Sequence, residues 1–139
     1  RIAKAAGRLT YAFANADVPK VTVVIGEAYG SAYVTMNSKS IGADIVYAWP
    51  DAKIGMMDAA AAVKIMYAEE ISASDKAAAL ISEKAAEYEA LQSSAAAAAG
   101  RGYVDDIIKA DETRQRVIAA FEMLFTKREG RPSRKHGTV

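Results

Sequence analysis

The stretch 20–36, K-V-T-V-V-I-G-E-A-Y-G-S-A-Y-V-T-M, runs from an apolar strand through a turn of small residues straight into a helix. Val21, Val23, Val24 and Ile25 are β-branched and nearly continuous, the composition of a strand buried on both faces. Gly26 and then Gly30-Ser31-Ala32 leave almost no side chain where the strand ends. A helix that begins there presents unpaired backbone N–H groups, and the positive end of its dipole, to whatever sits above the turn. Fixed N–H dipoles of this kind stabilise a developing oxyanion without a charged side chain. The same residues also suit a plain packing turn, in which small side chains let strand and helix approach. On this segment alone both readings stand.

Working outward, residues 2–16 carry Ile2, Ala5, Ala6, Leu9, Ala12, Phe13 and Ala16 at helical spacing, and Asp17-Val18-Pro19 stops that helix. After the 21–25 strand, a helix over 31–39, a turn at Gly42-Ala43-Asp44 and an apolar strand over 45–49 are predicted. A short strand at 53–56 follows, and Met57-Asp58 leads into a helix that runs to about Tyr67. The order strand, helix, strand, strand, helix predicts an α/β layer architecture. The Ala-, Glu- and Lys-rich residues 74–99 read as one long helix, capped by Ser74-Asp75 and ended by Gly100. Tyr103-Val104 and Ile107-Ile108 form a short apolar segment around Asp105-Asp106. Asp111 is expected to cap a last helix whose buried stripe is Val117, Phe121 and Leu124, with Ile118 and Phe125 beside it, and Gly130-Arg131-Pro132 to end it. No repeat and no linker divides the chain.

Composition excludes several function classes. The 139 residues support one domain or part of one, with a genuine core. Eighteen basic against seventeen acidic residues lack the basic excess of a nucleic-acid surface. The basic cluster of Lys127-Arg128, Arg131 and Arg134-Lys135-His136 reads as a solvated tail. No cysteine is present, which removes disulfides, thiolate metal sites and Cys nucleophiles and is compatible with a reducing cytoplasm. No apolar run is long enough to cross a bilayer, and Arg1-Ile2-Ala3-Lys4 does not open a secretory signal. The start without Met is expected of a piece of a longer protein.

His136 is the sole histidine, so a triad or a multi-histidine metal site is impossible within the chain. Asp105 and Asp106 are sequence neighbours that point to different sides of an extended segment, which suits structural roles better than paired acid/base work. Glu69-Glu70 reads as an exposed helix end, and Ser72, Ser74 and Ser93-Ser94 have no nearby base. Tyr29 and Tyr33 flank the small-residue turn and Trp49 closes the next strand. They serve either as core edges or as walls of a pocket over a flat ligand. What is left is a backbone-based site, suited to positioning and oxyanion stabilisation or to simple binding.

Several spaced motifs then occur together in order. Gly7-Arg8-Leu9-Thr10-Tyr11-Ala12-Phe13-Ala14 is followed by Val18-Pro19-Lys20-Val21-Thr22-Val23 and Ala28-Tyr29-Gly30-Ser31-Ala32-Tyr33. Met36-Asn37-Ser38-Lys39, Gly42-Ala43-Asp44 and Tyr47-Ala48-Trp49-Pro50 come next. Arg101-Gly102-Tyr103-Val104-Asp105, Thr113-Arg114 and a terminal Arg131-Pro132-Ser133-Arg134-Lys135-His136-Gly137 complete the series. In these the chain resembles the C-terminal part of the carboxyltransferase subunit of biotin-dependent acyl-CoA carboxylases and decarboxylases, the propionyl-CoA carboxylase β and methylmalonyl-CoA decarboxylase α type.

The resemblance implies a crotonase-like α/β fold, a spiral of β-β-α units with C-terminal helices. Residues 1–139 would be its C-terminal, biotin-side portion, with the acyl-CoA-binding N-terminal half absent. It implies transfer of a carboxyl group between carboxybiotin and an acyl-CoA of the acetyl-, propionyl- or methylmalonyl-CoA type, through enolate chemistry. The backbone N–H groups of Ser31 and Ala32 would face the urea oxygen of biotin, and Gly30, Tyr29, Tyr33 and Val34 would form the substrate-binding surround. Implied partners are a biotin carboxyl carrier protein or domain, the acyl-CoA, and other carboxyltransferase subunits in a homo-oligomer whose active site lies between two subunits. A cytoplasmic location is implied as well.

Ser31 stands where relatives usually have Gly, Val34 where many are acidic, and Asp58-Ala59-Ala60-Ala61-Ala62 where they often carry glycines and a Glu. Those departures keep two alternatives open. One is a non-catalytic assembly module of the same fold. The other is a different crotonase-like acyl-CoA enzyme such as a hydratase, although no paired Glu residues are placed to activate water.

Overall fold

The structure is a computed structural model that describes residues 1–130. The terminal signature at 131–137, with His136, lies outside the described residues.

The small-residue segment resolves into more structure than its composition announces. After α1 (Ile2–Asn15), the chain forms β1 (Val21–Val24), a second short strand β2 (Glu27–Tyr29), and α2 (Gly30–Thr35). The same order then recurs as β3 (Ile45–Ala48), β4 (Lys53–Gly55) and α3 (Ala59–Met66). In the repeat, β1 pairs in parallel with β3, Val21 opposite Ile45, and β2 pairs in parallel with β4, Tyr29 opposite Gly55. Each β-β-α unit thus gives one strand to each of two sheets, the spiral that the resemblance implies. The expected single strand-to-helix turn at 26–30 is corrected here, because Glu27–Tyr29 is itself a strand. It is only three residues long, too short for an alternation pattern to reveal.

β5 (Asp106–Ile107) adds to the other side of β3, so the larger sheet runs β1-β3-β5. The strand buried on both faces is therefore β3, whose four residues are all buried, whereas in β1 only Val24 is. β3 alternates as a pleated strand must. Val46 and Ala48 enter one core with Val24, Ile54, Ala95, Ala98 and Val104. Ile45 and Tyr47 enter a second core with Ile108 and Ala120, flanked by Val117, Leu124 and Trp49.

The Ala-rich middle is not one helix. It comprises α4 (Ala68–Ala73), α5 (Ala77–Tyr88), a π-helical turn over Glu89–Ser93, and α6 (Ala95–Gly100). Ser94 causes the break: its ψ of 153° is extended, and its Oγ accepts from Ala97 N at 3.1 Å as an N-cap. The Ser74-Asp75 cap is also corrected, since Lys76 precedes α5 and no side chain caps it. The last helix, α7 (Thr113–Met123), starts after Glu112 and stops at Leu124, before Gly130. Its buried contacts are Ala120, Val117 and Leu124, while Phe121, Ile118 and Phe125 are exposed.

Ion pairs tie the layers. Lys127 Nζ, with a 9% exposed side chain, bonds both Asp44 oxygens at 2.8 and 2.9 Å, and Asp44 Oδ2 also accepts from Lys20 N at 2.7 Å. Asp105 accepts from Lys39 Nζ and Val46 N, while Asp106 meets Arg116 at 3.5 Å. These adjacent carboxylates do separate structural work, as expected. No helix among the described residues is long and apolar enough to cross a membrane.

Ser93 is fully buried, and its Oγ has no hydrogen-bond partner among the described residues. An unpaired buried hydroxyl costs about 1 kcal/mol or more. Ser93→Ala is therefore expected to raise Tm of the intact subunit by roughly 3 °C in a thermal melt. A fall in Tm would show that the hydroxyl is bonded after all.

Candidate functional site

The turn between β2 and α2 is forced by backbone contacts. Gly30 has φ of +60°, and a Cβ there would stand 3.0 Å from the carbonyl oxygen of Met56. Both constraints demand glycine. Tyr29, still extended at φ −118° and ψ 144°, leads into it. Ser31 and Ala32 follow in the first helical turn, where no carbonyl of the helix can reach their N–H groups. No loop carbonyl or side chain among the described residues accepts from either. Both residues are exposed.

Gly30 and Ser31 form one edge of a cavity of about 560 Å³. Tyr33 and Val34 line it from α2, Ile54, Gly55 and Met56 from the end of β4. The far side comes from the broken Ala-rich segment and the loop after it: Tyr88, Gln92, Ala98, Arg101 and Tyr103. Gly55 keeps that approach close, because a Cβ on it would lie 3.3 Å from Ser93 Oγ and 3.8 Å from the Tyr29 ring.

Of the residues singled out from sequence, Gly30, Ser31, Tyr33 and Val34 come together at this cavity. Ala32 is next along the same turn. Tyr29 packs behind Gly55 and is not on the wall; burial, and after it the Glu27 carboxylate, raises its phenol pKa. Trp49 is elsewhere: its Nε1 donates to Thr113 Oγ1 at 2.9 Å beside the second core. Burial also raises the Tyr33 phenol, with Tyr103 adding to the effect, and its hydroxyl is buried without a partner among the described residues.

Asp58 is a structural cap, its Oδ1 accepting from Ala61 N at 3.0 Å. Sequence reasoning missed Tyr88, Gln92 and Ser40 as wall residues, and treated Arg101 and Tyr103 only as part of a motif. The available signal was Ser94, a helix N-cap residue followed by a run of alanines, which turns the chain so that Gln92 and Arg101 face each other.

With no carboxylate among its described wall residues, the cavity suits a largely flat ligand. A carbonyl oxygen of that ligand would be held by backbone N–H groups.

Comparison with known proteins shows the family and the fold. The family model for the carboxyl transferase domain matches residues 1–139. The chain is 50% identical over 132 residues to a putative propionyl-CoA carboxylase beta chain of Bacillus subtilis, which covers 95% of this chain and 26% of that protein. It is 44% identical over 130 residues to the methylmalonyl-CoA carboxyltransferase 12S subunit of Propionibacterium freudenreichii, covering 94% of this chain and 25% of that one. A crystal structure of transcarboxylase 12S, a hexamer with methylmalonyl-coenzyme A and methylmalonic acid bound, superposes with a TM-score of 0.91 at 43% identity. That match covers 98% of this chain and 26% of the solved one, so the chain spans about a quarter of the relatives' length. The α/β fold is theirs.

Proposed function

Because this chain belongs to the carboxyl transferase domain family, we propose that it forms the biotin-side portion of a carboxyltransferase that moves a carboxyl group between biotin and an acyl-CoA. One observation carries the reading. Among the described residues the Ser31 and Ala32 N–H groups have no acceptor, and the turn that carries them edges a cavity whose described wall is neutral apart from one arginine. A ureido ring fits that surround on three counts. It is flat and uncharged, its oxygen is a strong acceptor for paired N–H donors, and the glycine at 55 keeps the floor free of a Cβ.

Biotin, carried on a partner domain or subunit, supplies a ring nitrogen that takes up and releases the carboxyl group in exchange for the α-proton of the acyl-CoA. The chain's own part is to hold the ring and lower the cost of charge on its oxygen. Donors fixed by the Gly30 turn need no reorganisation as that charge grows. Tyr33 and Tyr103 contribute apolar ring surface, and Val34 places an uncharged, half-exposed side chain at the rim. The acyl-CoA site, the biotin carrier and the neighbouring carboxyltransferase subunits belong to the same proposal. A non-catalytic assembly role has no observation in its favour, because the substituted Ser31 keeps its N–H group.

Ser31→Pro in the intact subunit tests the assignment. Proline removes one donor and is tolerated in the first turn of a helix. Carboxyl transfer from malonyl- or methylmalonyl-CoA to free biotin is expected to fall about 10²-fold, with Tm nearly unchanged. Transfer at the parental rate would sink the site assignment.

A further inference from the structure

Among the described residues that line the cavity, Arg101 is the one that is charged. It follows directly after α6, and its guanidinium is clamped by a single neutral residue. Nη1 donates to the Gln92 carbonyl at 2.9 Å and Nη2 donates to Gln92 Oε1. No carboxylate of the described residues pairs with it, although Lys39, Lys53, Lys84, Arg116 and Lys127 all have acidic partners. Clamping by neutral oxygens fixes the group in place and leaves its positive charge without a carboxylate partner among the described residues. Two of its five N–H donors are used, so three remain for a ligand.

We propose that Arg101 binds the carboxylate that biotin carries, and so distinguishes the loaded from the unloaded form. This rests on the carboxyltransferase reading above. The biotin ring is neutral, and loading adds one negative charge to it. No acidic side chain among the described residues lines the cavity to offset or repel that charge. A guanidinium matches a carboxylate in plane and can bond both of its oxygens. The urea oxygen and the carboxylate then have separate donors, the Gly30 turn for one and Arg101 for the other.

The two donors act at different stages. Arg101 stabilises a full negative charge in the bound ground state, and that charge passes to the urea oxygen as the carboxyl group leaves. Its contribution is therefore to binding, whereas the Ser31 and Ala32 N–H groups act on the barrier.

The test uses the intact subunit and two probes, biotin methyl ester and freshly prepared N1-carboxybiotin methyl ester at pH 8, with affinities from equilibrium binding. Arg101→Met is expected to weaken the carboxylated ester about tenfold while changing the unmodified ester less than about twofold. Arg101→Lys, which keeps the charge but not the fork, is expected to recover part of the loss. In steady state, KM for the carboxylated ester should rise with kcat held or slightly raised. Equal weakening of both esters would overturn the proposal and leave Arg101 a clamp for the Gln92 turn. No change in either would overturn it too. A parental enzyme that binds neither ester would remove the carboxyltransferase reading itself, a result distinct from a normal parent with an indifferent Arg101 variant.

Discussion

Gly30→Val is expected to lower biotin-dependent carboxyl transfer by more than about 10³-fold, the largest activity loss of any single substitution outside the acyl-CoA site. Removal of one oxyanion donor typically costs about 10²–10³-fold, and this change displaces both. A β-branched residue at φ +60° is strained by about 1–3 kcal/mol. Its Cβ would also press on the Met56 carbonyl, which is backbone and cannot swing away. The turn relaxes by rotating the first peptides of α2, and the N–H groups of Ser31 and Ala32 lose their shared aim. Binding of acyl-CoA, measured separately, should be unaffected, and Tm should fall by only a few degrees. Ser31→Ala is the matching control: it keeps the N–H and should stay within about threefold of the parent. A Gly30→Val enzyme with a tenth of parental activity would mean that the reacting oxygen is held elsewhere.

The largest stability loss is expected at the other end of the fold. Lys127→Met leaves the Asp44 carboxylate, 17% exposed, with a backbone N–H as its remaining partner among those described. Breaking one side of a buried pair costs about 3 kcal/mol at the lower end of the usual range, which fits a group that still touches water. A drop in Tm of roughly 10 °C follows for a domain of this size.

The pH dependence has a definite sign. Burial works to lower the Lys127 pKa, but hydrogen bonds to the Asp44 and Glu129 carboxylates outweigh it, so the value in the fold is raised. A raised amine stabilises the fold fully below its unfolded pKa of about 10.4 and loses that contribution as pH climbs through the folded value. The Tm gap between parent and variant should hold constant from pH 7 to about 10 and narrow above it. A gap worth under about 1 kcal/mol at neutral pH is what an exposed pair would give, and would overturn the buried role of the Lys127–Asp44 pair.

How much of this was legible in the sequence differs by element, and for physical reasons. β1 and β3 announce themselves because their β-branched and aromatic residues are bounded by Pro, Gly and Asp, and β4 follows the Pro50-Asp51 turn that ends β3. β2 does not, because Glu27-Ala28-Tyr29 owes its extended form to pairing with β4, a contact that local propensity does not encode. Residues 74–99 read as one helix because Ala, Glu and Lys dominate them. A cap at Ser94 and burial of Ser93 override that preference through tertiary contacts. On the last helix the expected stripe of Val117, Phe121 and Leu124 holds at Val117 and Leu124, which pack on the core of Ile45 and Tyr47, whereas Phe121 is exposed and Ala120 takes the buried position.

The candidate site was legible on its α2 side, where it is a local run of Gly, Ser and Ala. Its opposite wall was not, since Tyr88, Gln92 and Arg101 reach the cavity only through the break at Ser94.

The contact between Gly30 and the Met56 carbonyl has a consequence for how such a protein can diverge. The proposed donors are main-chain atoms, so any residue but proline at position 31 would preserve them, and the rim there could change without loss of the donors. Position 30 has no such freedom. Geometry thus sets opposite tolerances at two neighbouring positions, one fixed by its backbone angle and a facing carbonyl, the other bound only to keep an N–H.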